Sequence, residues 1–147
     1  MDAGYTDRYT DESYKTGTGS LVNIKGTSIV TKEALFLKFY MKVARTANVS
    51  DLKVWINGVE TDIALVQNGS YYTASYQVPA NAMASLAVVE VKDGDTVVSN
   101  TYADSVTSYC ANVVSRRNDS AEFAAFTPLA RYVEEFVYAS VAYLTAI

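Results

Sequence analysis

The side chains able to do chemistry in this sequence are carboxylates, hydroxyls, one thiol and an excess of aromatic rings; histidine is absent. Without His there is no imidazole base, no His-containing triad and no His metal ligand. Glu60 and Asp62 lie two residues apart, a spacing that puts both carboxylates on one face of a strand, and paired carboxylates are the machinery of glycoside cleavage. The same spacing describes a solvated strand face opposite an apolar one, and the alternation around the pair favours that reading. Ser and Thr are plentiful, but without His or a Ser-Lys motif nothing activates them. Cys110 falls on an apolar helical stripe beside Tyr109, where a thiol acts as a small hydrophobe, and one Cys allows no internal disulfide. Asp93-Gly94-Asp95 and the trio Asp2, Asp7 and Asp11 offer oxygens to calcium, yet neither has the fixed ligand positions and closing Glu of an EF-hand loop. No catalytic residue, metal or cofactor is therefore expected.

The rings carry more information. Twelve Tyr, five Phe and one Trp make up 12% of the chain. Trp55, Tyr72 and Tyr76 are expected on faces opposite the core-facing sets, where rings could stack on a sugar or meet a partner surface. The same rings could instead fill the bed beneath a helical cover, since Tyr and Trp bury a body while keeping a polar tip wet. Tyr5, Tyr9 and Tyr14 are spaced through a polar N-terminal arm, residues 1–19. These rings either pack on their own domain or dock on a neighbouring subunit, and ordering such an arm needs contact area to offset its entropy.

The elements that must position these residues follow from composition and period. The chain has 147 residues, half of them apolar and 19% charged, which suits one folded domain and excludes a disordered chain. Sixteen acidic residues outnumber twelve basic ones, so nucleic acid is not an expected partner. Apolar runs are only a few residues long, so no membrane insertion is expected, and no basic and apolar leader opens the sequence.

Ala34 to Val43 alternates, with Leu35, Leu37, Phe39, Met41 and Val43 on one face; Leu52, Val54 and Ile56 do likewise. Asn57-Gly58 signals a type I′ hairpin leading to Val59, Thr61, Ile63 and Leu65, and Asn68-Gly69 and Asp93-Gly94 signal two more. The last joins Leu86–Lys92 to Thr96–Tyr102. About seven short strands suggest an antiparallel sandwich.

Beyond Tyr102 the period becomes helical. Asp104 reads as an N-cap for a helix of residues 104–117, and Thr127-Pro128 as the N-cap and first position of a helix of residues 127–145. Leu129, Tyr132, Val133, Phe136, Ser140, Val141 and Leu144 form the stripe expected to be buried, broadened by Val137, Tyr138 and Tyr143. The expected fold is α+β: mainly an antiparallel Ig-like β-sandwich, followed by two C-terminal helices packed on it, in a single domain of residues 20–147.

Three short motifs in this order resemble a known module. Ala34 to Val43 looks like an "inFYv" strand; Ser108-Tyr109-Cys110-Ala111 matches a "Y-(C/A)" helix; Phe136 to Ala142 matches the end pattern "lLnYGaaAQ", with Ala139 where Gly is usual. These resemble the Ig-like sandwich-plus-helix module of secreted and surface proteins of gut Firmicutes, over about residues 20–144. The resemblance implies packing residues and no activity, and a location that is secreted or on a cell or virion surface. The function expected is a non-catalytic structural or interaction module, with other protein chains, the same or different, as partners. The alternative is a carbohydrate-binding module that presents Trp55 with Tyr72 or Tyr76 to a glycan.

Overall fold

The computed structural model describes residues 9–119 and 121–146, with the side chains of Lys32 and of residues 139–146 outside that description. The fold is α+β: antiparallel strands in two sheets, then two helices. Two compact units hold these elements. One contains Ser13–Val78 and Leu86–Asp104; the other contains Pro79–Ser85, the chain from Ser105 onward and residues 9–12.

The strand unit is a sandwich. Its six-stranded sheet is formed by β1 (Tyr14–Thr16), β10 (Thr101–Asp104), β8 (Ala87–Asp93), β4 (Leu52–Ile56) and β5 (Val59–Glu60), with β9 (Thr96–Val97) also on β8. The four-stranded sheet runs β2 (Val22–Lys32), β3 (Ala34–Val43), β7 (Tyr71–Gln77) and β6 (Val66–Asn68). Strand alternation sorts the side chains as expected: Leu37, Phe39 and Met41 on β3, Val54 on β4, and Val89 and Val91 on β8 are fully buried. Tyr102 meets Phe39 edge-on across the two sheets, centroids 6.0 Å apart and planes at 80°.

Three expectations need correction. The returning strand after Asn57-Gly58 is only two residues long and leaves Val59 exposed, because β5 is an edge with no strand beyond it among the described residues. The hairpin itself is as expected, with φ of 54° at Asn57 and 80° at Gly58, the left-handed pair a type I′ turn requires. Thr96–Tyr102 is not one strand but breaks at residues 98–100, where side chains take over from the ladder. There Ser99 Oγ accepts from Val91 N–H at 2.7 Å. Asn100 Oδ1 accepts from Ile24 N–H at 2.7 Å while its Nδ2 donates to Ile24 O at 3.1 Å. One buried amide thus satisfies both backbone groups of a residue on the other sheet. Third, residues 14–16 of the expected arm form β1, pairing Tyr14 with Ala103 and Thr16 with Thr101. The chain can enter there only because Gly19 has no Cβ: a methyl would strike backbone at Val22, Val98 and Ser99.

The helical unit holds α1 (Val106–Ser115) and α2 (Ala121–Ala146). The N-cap of α1 is Ser105, not Asp104: Ser105 Oγ accepts from Ser108 N–H at 3.0 Å, while Asp104 is the buried last residue of β10. α2 starts before Thr127-Pro128 and carries Pro128 in its interior. Thr127 therefore does not cap; its hydroxyl donates back to the Phe123 carbonyl at 2.8 Å, anchoring the turn that Pro128 interrupts.

The buried stripe of α2 also departs from expectation. It is Thr127, Ala130, Glu134 and Val137, at helical spacing, and α1 contributes Cys110, Ala111, Val113 and Val114 to the burial of the unit. Ala130 and Ala111 are small, which lets a helix pair approach closely. Large side chains on the neighbouring face stay outside: Phe126, Leu129, Tyr132 and Phe136 are 52%, 53%, 69% and 55% exposed. The expected stripe members Ser140, Val141 and Leu144, and Tyr143 beside them, lie among side chains outside the described set.

Candidate functional site

Trp55 sits on β4 between buried Val54 and Ile56, so its ring points to the outer face of the six-stranded sheet. Glu60 on β5 and Glu90 on β8 are directly opposite it, and Lys92 Nζ lies over the ring, 3.8 Å from its centroid. The ring face is thus already occupied by a cation. Its Nε1 is enclosed and has no hydrogen-bond partner.

Tyr72 and Tyr76 belong to the other sheet. On β7 they pair with Met41 and Leu37, both fully buried, so they share the inward face and close the border of the core, half-buried. The sequence reading set Trp55 with Tyr72 or Tyr76 in one platform; the structure places Trp55 on one sheet, pointing outward, and the two tyrosines on the other, pointing inward. A period-2 pattern identifies faces within one strand, but not which sheet the strand joins.

The arm residues are also separated. Tyr14 is an exposed side chain of β1. Tyr9 borders a cavity of about 320 Å³ in the helical unit, together with Asp11, Ala111, Val114 and Glu134. That stretch is fastened within its own chain: Glu12 N–H donates to Ser108 Oγ at 3.0 Å, and Asn112 Nδ2 to Asp11 Oδ2 at 2.9 Å. Tyr5 lies outside the described residues. Glu60 and Asp62 do not form a pair on one strand, because β5 ends at Glu60; both are exposed. No cluster of three His, Cys, Asp or Glu able to hold a metal occurs among the described residues. No described helix is long and apolar enough to cross a membrane.

Two surfaces were not foreseen. The first is a pocket of about 450 Å³ at one end of the four-stranded sheet, with Lys42, Arg45, Gln67, Ser70 and Tyr72 in its wall and no carboxylate. Lys42 Nζ stands 4.3 Å from the Tyr71 ring centroid, and neither Lys42 nor Arg45 has an acidic partner among the described residues. In a chain of net charge −4, two cations around an acid-free hollow make a local positive field. Only the folded register brings residues 42–45 beside 67–72, so no sequence window carries this signal. The second is the α2 stripe of Phe126, Leu129, Tyr132 and Phe136. Its spacing was legible, but its direction was misassigned, because an apolar excess all round a helix does not say which side finds the neighbour.

No protein-family model, curated protein or solved structure matches the chain.

Proposed function

We propose that the chain is a non-catalytic interaction module of a secreted, cell-surface or virion assembly, acting through contacts with other protein chains. The observation that carries this reading is the exposed stripe of α2, four large apolar side chains at successive turns, each more than half accessible. Surface hydrophobics scattered singly need no explanation, whereas a contiguous row marks a contact. Burying these four halves removes about 400 Å² per chain, against about 800 Å² on each side of a standard interface. The stripe is then the apolar centre of a contact whose rim comes from neighbouring surface. An apolar helix laid along α2 is the partner that suits it, and the row at 126, 129, 132 and 136 can meet itself antiparallel, so a second copy is the first partner to test.

Sedimentation velocity on the full chain tests this. Association that rises with concentration and is weakened in Phe126→Gln/Phe136→Gln, at unchanged helix content, is the expected result. A wild type that associates no more strongly, and binds no more of an apolar dye, than the double variant would overturn it.

A second reading, glycan binding, has one observation in its favour: the pocket beside Tyr72, whose lysine, arginine, amide and hydroxyls suit an acidic saccharide. Heat on titrating a uronate oligosaccharide, lost in Arg45→Gln and absent with a neutral glucan, supports it; equal silence with both glycans ends it.

A further inference from the structure

A different element carries a separate contact. β2 is the terminal strand of the four-stranded sheet, eleven residues long, and among the described residues only β3 forms a strand ladder with it. Its first half is closed on the open side, where Val22 N–H donates to Val98 O and the Asn100 amide holds both backbone groups of Ile24. A bulge then adds Lys25 between Ile24 and Gly26. The alternation shifts by one, so Gly26, Ser28 and Val30 direct their backbone groups to β3, opposite Tyr40, Lys38 and Phe36. Thr27, Ile29 and Thr31 direct theirs to the open edge. From Gly26 to Thr31 there is no charge and no Pro, the devices that usually blunt an edge strand. Lys25 precedes the run and Lys32-Glu33 follow it; Lys25 and Glu33 are exposed and neither is ion-paired among the described residues.

We propose that this edge pairs with the same edge of a second copy of the chain, β2 against β2 antiparallel about Ile29, continuing the four-stranded sheet across a two-fold axis. Centring on Ile29 sets Thr27 opposite Thr31 and Ile29 opposite itself. That gives three pairs that each exchange two backbone bonds, whereas registers centred on Ser28 or Val30 give two such pairs. The same register sets Lys25 of each chain against Glu33 of the other, so charge selects it as well. Thr27 and Ile29 lie on the inward side, opposite Phe39 and Leu37, so the apolar face of the sheet runs on across the junction. This contact does not depend on the α2 stripe.

The test is sedimentation velocity on the full chain over a concentration series, in the Phe126→Gln/Phe136→Gln background so that the helix stripe does not contribute. A dimer is expected. Thr31→Pro abolishes it without removing a ladder bond inside the chain, because the Thr31 N–H faces the open edge. Lys25→Glu or Glu33→Lys alone weakens the dimer about tenfold, and the two together restore it to within about twofold. A monomer at every concentration, a dimer indifferent to Thr31→Pro, or a charge pair that does not rescue would overturn the proposal. Each of those results leaves the α2 reading standing, since that reading is judged in the parent chain.

Discussion

In the sandwich a set of large apolar side chains is fully buried between the sheets and the charges point out. Phe39, Leu37, Met41 and Ile24 are fully buried, while Lys42 and Lys53 on the same two sheets are exposed. The helical unit sorts its residues differently. Ser105, Thr107, Ser108, Thr127 and the carboxylate of Glu134 are buried there, beside small residues such as Ala111 and Ala130, while Phe126, Leu129, Tyr132 and Phe136 stand in solvent. Burying polar groups costs stability unless they are bonded, and exposing rings forgoes about 1.5–3 kcal/mol each. The core between the two sheets is filled by the sandwich's own residues. The helical pair leaves its largest apolar groups at the surface, and that contrast is the physical basis for the proposal of an interaction module.

The largest effect expected is in the sandwich. Phe39→Ala should lower stability by about 3–5 kcal/mol, because the ring is fully buried, meets Tyr102 edge-on, and lies where two sheets cannot collapse onto the void. Urea unfolding followed by tyrosine and tryptophan fluorescence measures it. A loss under about 1 kcal/mol would mean that the sandwich core is no better packed than the helical surface, and the contrast would fail.

Next comes Asn100, at the junction of the two sheets. Asn100→Ala leaves the Ile24 N–H and carbonyl buried without partners and should cost about 2–3 kcal/mol by the same measurement. Asn100→Asp sharpens the point: it keeps the acceptor for Ile24 N–H but sets a buried carboxylate oxygen against Ile24 O, so it should cost at least as much as Asn100→Ala at neutral pH, with the deficit shrinking as pH falls and the acid O–H donates to that carbonyl.

The sandwich was legible because its code is local. Alternation at residues 35–43 and 52–56 fixes which side chains go in, and Asn57-Gly58 fixes a turn with two left-handed residues. Asn100 was not legible, because an amide replacing a strand partner depends on a residue 76 positions away. The helix starts were misplaced because two local rules competed. Thr127-Pro128 satisfies the preference for a cap followed by Pro, yet α2 continues through it, with the Thr127 hydroxyl turned back to Phe123. The candidate surfaces were the least legible part. Trp55 was rightly placed opposite core residues of its own strand, but pairing it with Tyr72 and Tyr76 needed the sheet order, which periodicity does not contain.

The smallest stability effect belongs to the α2 stripe, and its smallness is what matters. Phe136 is next to buried Val137 and two residues from buried Glu134 on the same helix, yet more than half of it is exposed. If the stripe serves the fold, Phe136→Ala behaves like a partial core deletion and costs about 1–2 kcal/mol. If it serves a contact, Phe136→Ala changes monomer stability by less than about 0.5 kcal/mol, as surface positions do, and Ala even favours the helix slightly over Phe. Urea unfolding at a concentration low enough to keep the chain monomeric separates the two. The comparison is sharpest with Leu129→Ala measured alongside, because Leu and Ala have similar helix propensities, so any loss there reports packing alone.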